Sequence, residues 1–155
     1  MEMTFTTRQQ TTVIGYAFDT TAFSPEIGAA WCRVHENGDF QRLMGKSKCM
    51  ENFGLCIMKE GMADGGFRYM IGFDYDETKP VDDDMELYEL AGGEYAVFPS
   101  PTMEEISNTF KYVYEQWLPA SQYEYDKARD ADFEYYYMRG EEVACDIYVP
   151  LRLKG

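Results

Sequence analysis

Apolar residues recur along the chain with two different periods, and their order sets the expected fold. Over 10–18, QTTVIGYAF, β-branched and aromatic residues predominate, which marks a strand. In SPEIGAAWCRV the apolar positions Ile27, Trp31 and Val34 fall three or four apart, the spacing of one helical face. Ser24 can cap that helix, with Pro25 at its first position and Glu26 in its first turn. HENGD interrupts it, and a further turn is expected through Phe40, Leu43 and Met44. Two strand-like runs follow, NFGLCIMKEG and GFRYMIGFDYD, joined by the glycine-rich EGMADGG as a hairpin. After the acidic DYDETKPVDDDMELYE the order repeats. GGEYAVFPSP reads as a strand and TMEEISNTFKYVYEQWLP as a helix. The helix carries a Thr102–Glu105 capping box, an apolar face of Met103, Ile106, Phe110, Val113 and Trp117, and a stop at Pro119. DFEYYYM and EVACDIYVPL are the closing strands, turned at RGEE.

Strand, helix, strand, strand, twice over, predicts an α+β fold. A tandem β-α-β-β repeat, over about 8–76 and 85–153 of a single domain spanning 1–155, forms an antiparallel sheet. Two helices cover one face, and a ligand cleft is expected on the other. Alternation then sorts the side chains. In the last strand Val143, Cys145, Ile147 and Val149 are uniformly apolar and should pack on the helices, turning Asp146 and Tyr148 to the open face. In the strand before it, a charge should not be driven beneath helices. That places Glu134 and Tyr136 on the open face and Phe133, Tyr135 and Tyr137 under the helices. Earlier in the chain Tyr69, Ile71 and Phe73 share the core side, with Met70 and Gly72 opposite. Glu134, Tyr136, Asp146 and Tyr148 together would make a surface receptive to cations, by charge and by aromatic faces.

Composition narrows the classes. With 14 basic and 28 acidic residues the formal net charge is −14 and no basic stripe occurs, which argues against nucleic-acid binding. No apolar run approaches the length of a membrane span, and no signal-peptide pattern opens the chain. Cys32, Cys49, Cys56 and Cys145 are scattered and His35 is the single histidine, so no zinc site and no cofactor is expected; the thiols read as reduced, mostly buried and cytoplasmic. The DDD at 82–84 lacks the spaced ligands and central glycine of a calcium loop. Neither a phosphate-cradling loop nor a nucleophile elbow is present.

The segments FRYMIGF (67–73), GGEYAVF (92–98), WLPASQYEY (117–125), DFEYY (132–136) and DIYVPL (146–151), in this order and spacing, resemble the GyrI-like (AraC-type, SOUL-like) bacterial effector-binding domains. The resemblance implies a pocket between two halves, with the acid of the FE-x-Y strand, here Glu134 followed by Tyr136, binding cationic aromatic drugs. By the same resemblance Asp146 and Tyr148 match a second acidic and aromatic pair. It implies a stand-alone small-molecule-binding module of transcriptional regulation or drug sensing that does not itself bind DNA, with a protein partner possible. Two alternatives stay open. One is a hydrolase that opens strained rings of DNA-alkylating compounds, with Glu134 as general base. The other is an acidic inhibitor of a topoisomerase.

Overall fold

The computed structural model describes residues 3–21, 24–58, 66–100, 102, 105–129 and 131–154. The elements are β1 (Thr4–Arg8), β2 (Thr11–Thr21), α1 (Pro25–Glu36), α2 (Asp39–Met44), β3 (Ser47–Ile57), β4 (Gly66–Tyr75), β5 (Glu86–Leu90), β6 (Gly93–Ser100), α3 (Ile106–Tyr112), α4 (Leu118–Ala120), β7 (Tyr123–Tyr125), β8 (Ala131–Arg139) and β9 (Glu142–Leu153). A π-helical turn, Val113–Trp117, joins α3 to α4.

The strands form one antiparallel sheet in the order β1-β6-β9-β8-β3-β4-β2-β5, with β7 pairing to β9. β6-β9-β8 and β3-β4-β2 are two three-stranded units that meet at the β3–β8 seam. Each outer flank is completed from elsewhere in the chain. β1 pairs with β6 and β5 pairs with β2, so each short strand binds the half that does not follow it. The sequence reading missed β1. Its Thr4–Thr7 are exposed, so no buried alternation marks it. The predicted first strand is β2, and it runs on to Thr21.

The helices sit on one face. Ser24 accepts from the Glu26 amide at 3.2 Å, with Pro25 at the first helical position, as the sequence predicts. Gly38, at φ 86°, breaks α1 from α2 in the left-handed conformation that glycine reaches without strain. The capping box at Thr102 does not form; α3 begins at Ile106 with no side-chain cap, and Met103 lies outside the described residues. The 59–65 part of the predicted hairpin turn also lies outside them. Cys56 and Cys145 are buried, but Cys32 and Cys49 are exposed, against the expectation of mostly buried thiols. The acidic 82–84 stretch is tied down by basic side chains, Arg42 bridging Asp82 and Asp84 and Lys46 bridging Asp82.

Two apolar clusters lie beneath the helices. Ile14, Val34, Leu43, Ile71 and Phe73 pack under α1 and α2; Phe98, Val113, Cys145, Ile147 and Val149 pack under α3. Trp31 and Phe110 touch both clusters, so the two helical layers meet there. Val13, Phe53, Leu55, Tyr95, Phe133 and Tyr148 fill the opposite face. No helix covers that face among the described residues, yet Phe53, Leu55, Tyr95 and Phe133 are fully buried. The sheet therefore curls on itself, and its own side chains close the concave side.

The register corrects the face assigned to β8. Glu134 is opposite Ile147 and Phe133 is opposite Tyr148. Glu134 and Tyr136 thus project with the apolar side of β9, beneath the helices, while Phe133 and Tyr135 project with Asp146 and Tyr148 to the concave side. The last-strand assignment holds for Cys145, Ile147 and Val149; Val143 is exposed.

Candidate functional site

Glu134 sits at the seam, opposite Gly54 of β3. It is 5% exposed. Tyr69 of β4 and Tyr136 of β8 both donate to its Oε1, at 2.6 and 2.5 Å, and no hydrogen bond reaches Oε2 among the described residues. The Trp31 indole of α1 donates to the Tyr69 hydroxyl at 2.7 Å and packs edge-on to the Tyr136 ring at 4.9 Å. One carboxylate oxygen is thus fixed by two phenols, both of which Trp31 touches, and the other accepts no hydrogen bond among the described residues.

Gly54 makes this possible. A Cβ there would overlap the Tyr69 hydroxyl and Glu134 Oε1, so only glycine leaves the space that they occupy. Asp132, two positions before Glu134, projects from the same face and is 2% exposed. Tyr114, in the π-helical turn, donates to its Oδ2. Its buried Oδ1 has no conventional partner, only the weakly donating Cys56 thiol alongside.

Burial pushes the Glu134 carboxyl up to about 7, helped by the nearby Asp132 and opposed by the bonds from Tyr136 and Tyr69. Burial likewise pushes Asp132 up to about 6, opposed by Tyr114 and Cys56. The Tyr69 and Tyr136 hydroxyls are held well above their ordinary range, first by burial and then by the Glu134 charge, so they remain donors. No lysine or arginine among the described residues lowers either carboxyl. Two acids thus share a low-dielectric space with no cationic side chain beside them among the described residues, and burial makes both hold their protons more tightly.

The four residues predicted as one surface are divided between the two faces. Tyr148 stacks on Phe133 at 4.7 Å, and Asp146 accepts from Tyr137 at 3.1 Å, both on the concave side. There the Arg8 guanidinium lies 5.4–5.6 Å from the ring centres of Phe53, Phe133, Tyr135 and Tyr148, and pairs with Glu51 at 3.4 Å. That aromatic box already holds a cation of the chain's own. An open hollow lined by Tyr112, Gln116, Trp117, Ala120 and Ser121 contains none of the predicted residues. Sequence reading missed Tyr69, Trp31, Asp132, Tyr114 and Gly54 as site residues. The one signal available was Gly54, a glycine inside an otherwise bulky strand.

The family model of Cass2, the integron-associated effector binding protein, matches residues 4–151. The chain belongs to this family. The Cass2 assignment agrees with the GyrI-like resemblance and the α+β fold. The transcriptional regulator BrlR of Pseudomonas aeruginosa is 29% identical over 149 residues, 90% of this chain and 51% of that protein. The chain thus spans about half the length of this curated relative. Among solved structures, SAV2435 bound to tetraphenylphosphonium superposes with a TM-score of 0.80 at 20% identity, over 98% of this chain and 94% of that one. The Vibrio cholerae integron cassette protein VCH_CASS2 superposes at 0.72 with 18% identity, over 97% and 95%. The chain is therefore an effector-binding domain of the Cass2 family. No helix among the described residues is long and apolar enough to cross a membrane.

Proposed function

We propose that this domain binds lipophilic aromatic cations at Glu134, between the helices and the sheet, and serves drug sensing or sequestration. The observation that carries the reading is a buried carboxylate with no cationic partner, its Oε1 oriented by Tyr69 and Tyr136 and its Oε2 left unengaged. A cation there supplies the missing counter-charge, and the rings of Trp31, Tyr69 and Tyr136 supply stacking surface. Tetraphenylphosphonium, bound in SAV2435, belongs to this chemical class, and the description of BrlR as a transcriptional regulator supports a sensing role. Glu134 is buried, and Trp31 bonds to Tyr69 and packs on Tyr136, the two side chains that hold it, so a ligand of that size enters only when the helical layer shifts. Binding then carries an opening cost and is slower than diffusion.

The test is a titration of tetraphenylphosphonium followed by Trp fluorescence and by thermal shift, at pH 8. Saturable binding, lost or weakened at least tenfold in Glu134→Gln, is expected. Equal binding by that variant, or no binding by the native chain, overturns the reading.

A further inference from the structure

The second buried acid sharpens the ligand class. Asp132 and Glu134 are alternate residues of β8, so their Cα atoms stand roughly 6.6 Å apart at the usual rise of a strand. Both are covered by the helical layer, and each keeps one carboxylate oxygen without a conventional hydrogen bond: Oδ1 of Asp132 and Oε2 of Glu134. Cys56, opposite Asp132 on β3, feels both charges, which places the two acids in one electrostatic space. A monocation neutralises one of them and leaves the other buried without a counter-charge, the costly arrangement. A dication neutralises both.

Resting on the cation-site reading above, we propose that the preferred ligands are rigid aromatic dications whose two positive centres lie about 6–7 Å apart, the strand spacing of the two acids. One centre meets Glu134 beside Tyr136 and Trp31. The other meets Asp132 beside Tyr114. Tyr114 belongs to the π-helical turn Val113–Trp117, a widened turn of the kind that collects at functional sites. Because both carboxyls hold protons more tightly than usual, a dication also displaces more protons than a monocation does.

The experiment compares two cations of the same two-ring frame: N,N′-dimethyl-4,4′-bipyridinium, with two charges, and 1-methyl-4-phenylpyridinium, with one. Affinities are measured by calorimetry on the whole chain at pH 8, in high salt, so that general attraction to a protein of net charge −14 is screened. The expected result is a dication bound at least tenfold more tightly. In Asp132→Asn the ratio of the two affinities falls to about one. A monocation that binds while the dication is no tighter overturns this inference and leaves the Glu134 reading standing; binding of neither overturns both. A preference that survives Asp132→Asn places the second charge elsewhere and overturns it too. Should that variant not fold, proton release by the native chain at pH 6, read from buffers of different ionisation enthalpy, decides: equal release for the two cations overturns the proposal.

Discussion

Glu134→Gln keeps the shape of the side chain and an oxygen that can accept from Tyr69 and Tyr136, but removes the charge. In the folded protein burial holds the Glu134 carboxyl at about 7, against an ordinary value of 4.5. A carboxyl that binds its proton more tightly when folded than when unfolded stabilises the fold while protonated. That contribution is lost as pH rises from 4.5 to 7, and the loss is complete above 7. At 1.36 kcal/mol per pH unit the interval corresponds to roughly 3 kcal/mol. Glu134→Gln is therefore expected to change stability little at pH 5 and to raise it by about 3 kcal/mol at pH 8. Urea unfolding followed by far-UV circular dichroism at pH 5, 6.5 and 8 measures both limits. A variant no more stable than the native protein at pH 8, or a gain that does not grow with pH, refutes the account of a buried, uncompensated carboxylate. The same substitution is expected to abolish cation binding, so stability and affinity move in opposite directions, as they do where a site is built from strained electrostatics.

Gly54→Ala is expected to force Tyr69 and Glu134 apart, costing roughly 1–3 kcal/mol in urea unfolding and weakening cation binding. Arg8→Ala empties the aromatic box and breaks the Glu51 pair; a loss of about 1–2 kcal/mol is expected, with faster amide exchange confined to Thr4–Arg8 and their partners on β6. Tyr136→Phe should weaken tetraphenylphosphonium binding severalfold, whereas Tyr148→Phe and Asp146→Asn, on the concave face, should leave the dissociation constant within about twofold, each measured by fluorescence titration.

Much of the architecture is legible in the sequence because it rests on periodicity. The β-branched run of β2, the Ser24-Pro25-Glu26 start of α1, and the uniform Cys145, Ile147 and Val149 face of β9 each predict what is observed. The candidate site is half legible. The sequence singles out Glu134 and Tyr136, but the rule that charges avoid helical cover turns them to the wrong face. In DADFEYYYM both parities contain aromatics, so alternation alone does not choose between them. The choice comes from register, which sets Glu134 opposite Ile147. The acid tolerates its position because Tyr69, sixty-five residues earlier, and Tyr136 hydrogen-bond it there. A partner that distant leaves no local trace. β1 was invisible for a different reason: its exposed threonines bury nothing, and what fixes its end is one arginine among rings.

The seam between β3 and β8 has a consequence for how the two halves divide their labour. Each half brings an edge strand of its three to the junction, and at one rung of it the residues are glycine on one strand and glutamate on the other. A glutamate on both would set two carboxylates against each other in the same buried space, and a glycine on both would leave it empty. The junction therefore admits only an unequal pair, one partner lending charge and the other lending room. A chain whose backbone pairs as two like units can hold a single buried acid at this rung only by breaking that likeness, so the number of buried acids there, one rather than two, is decided by the missing side chain of Gly54.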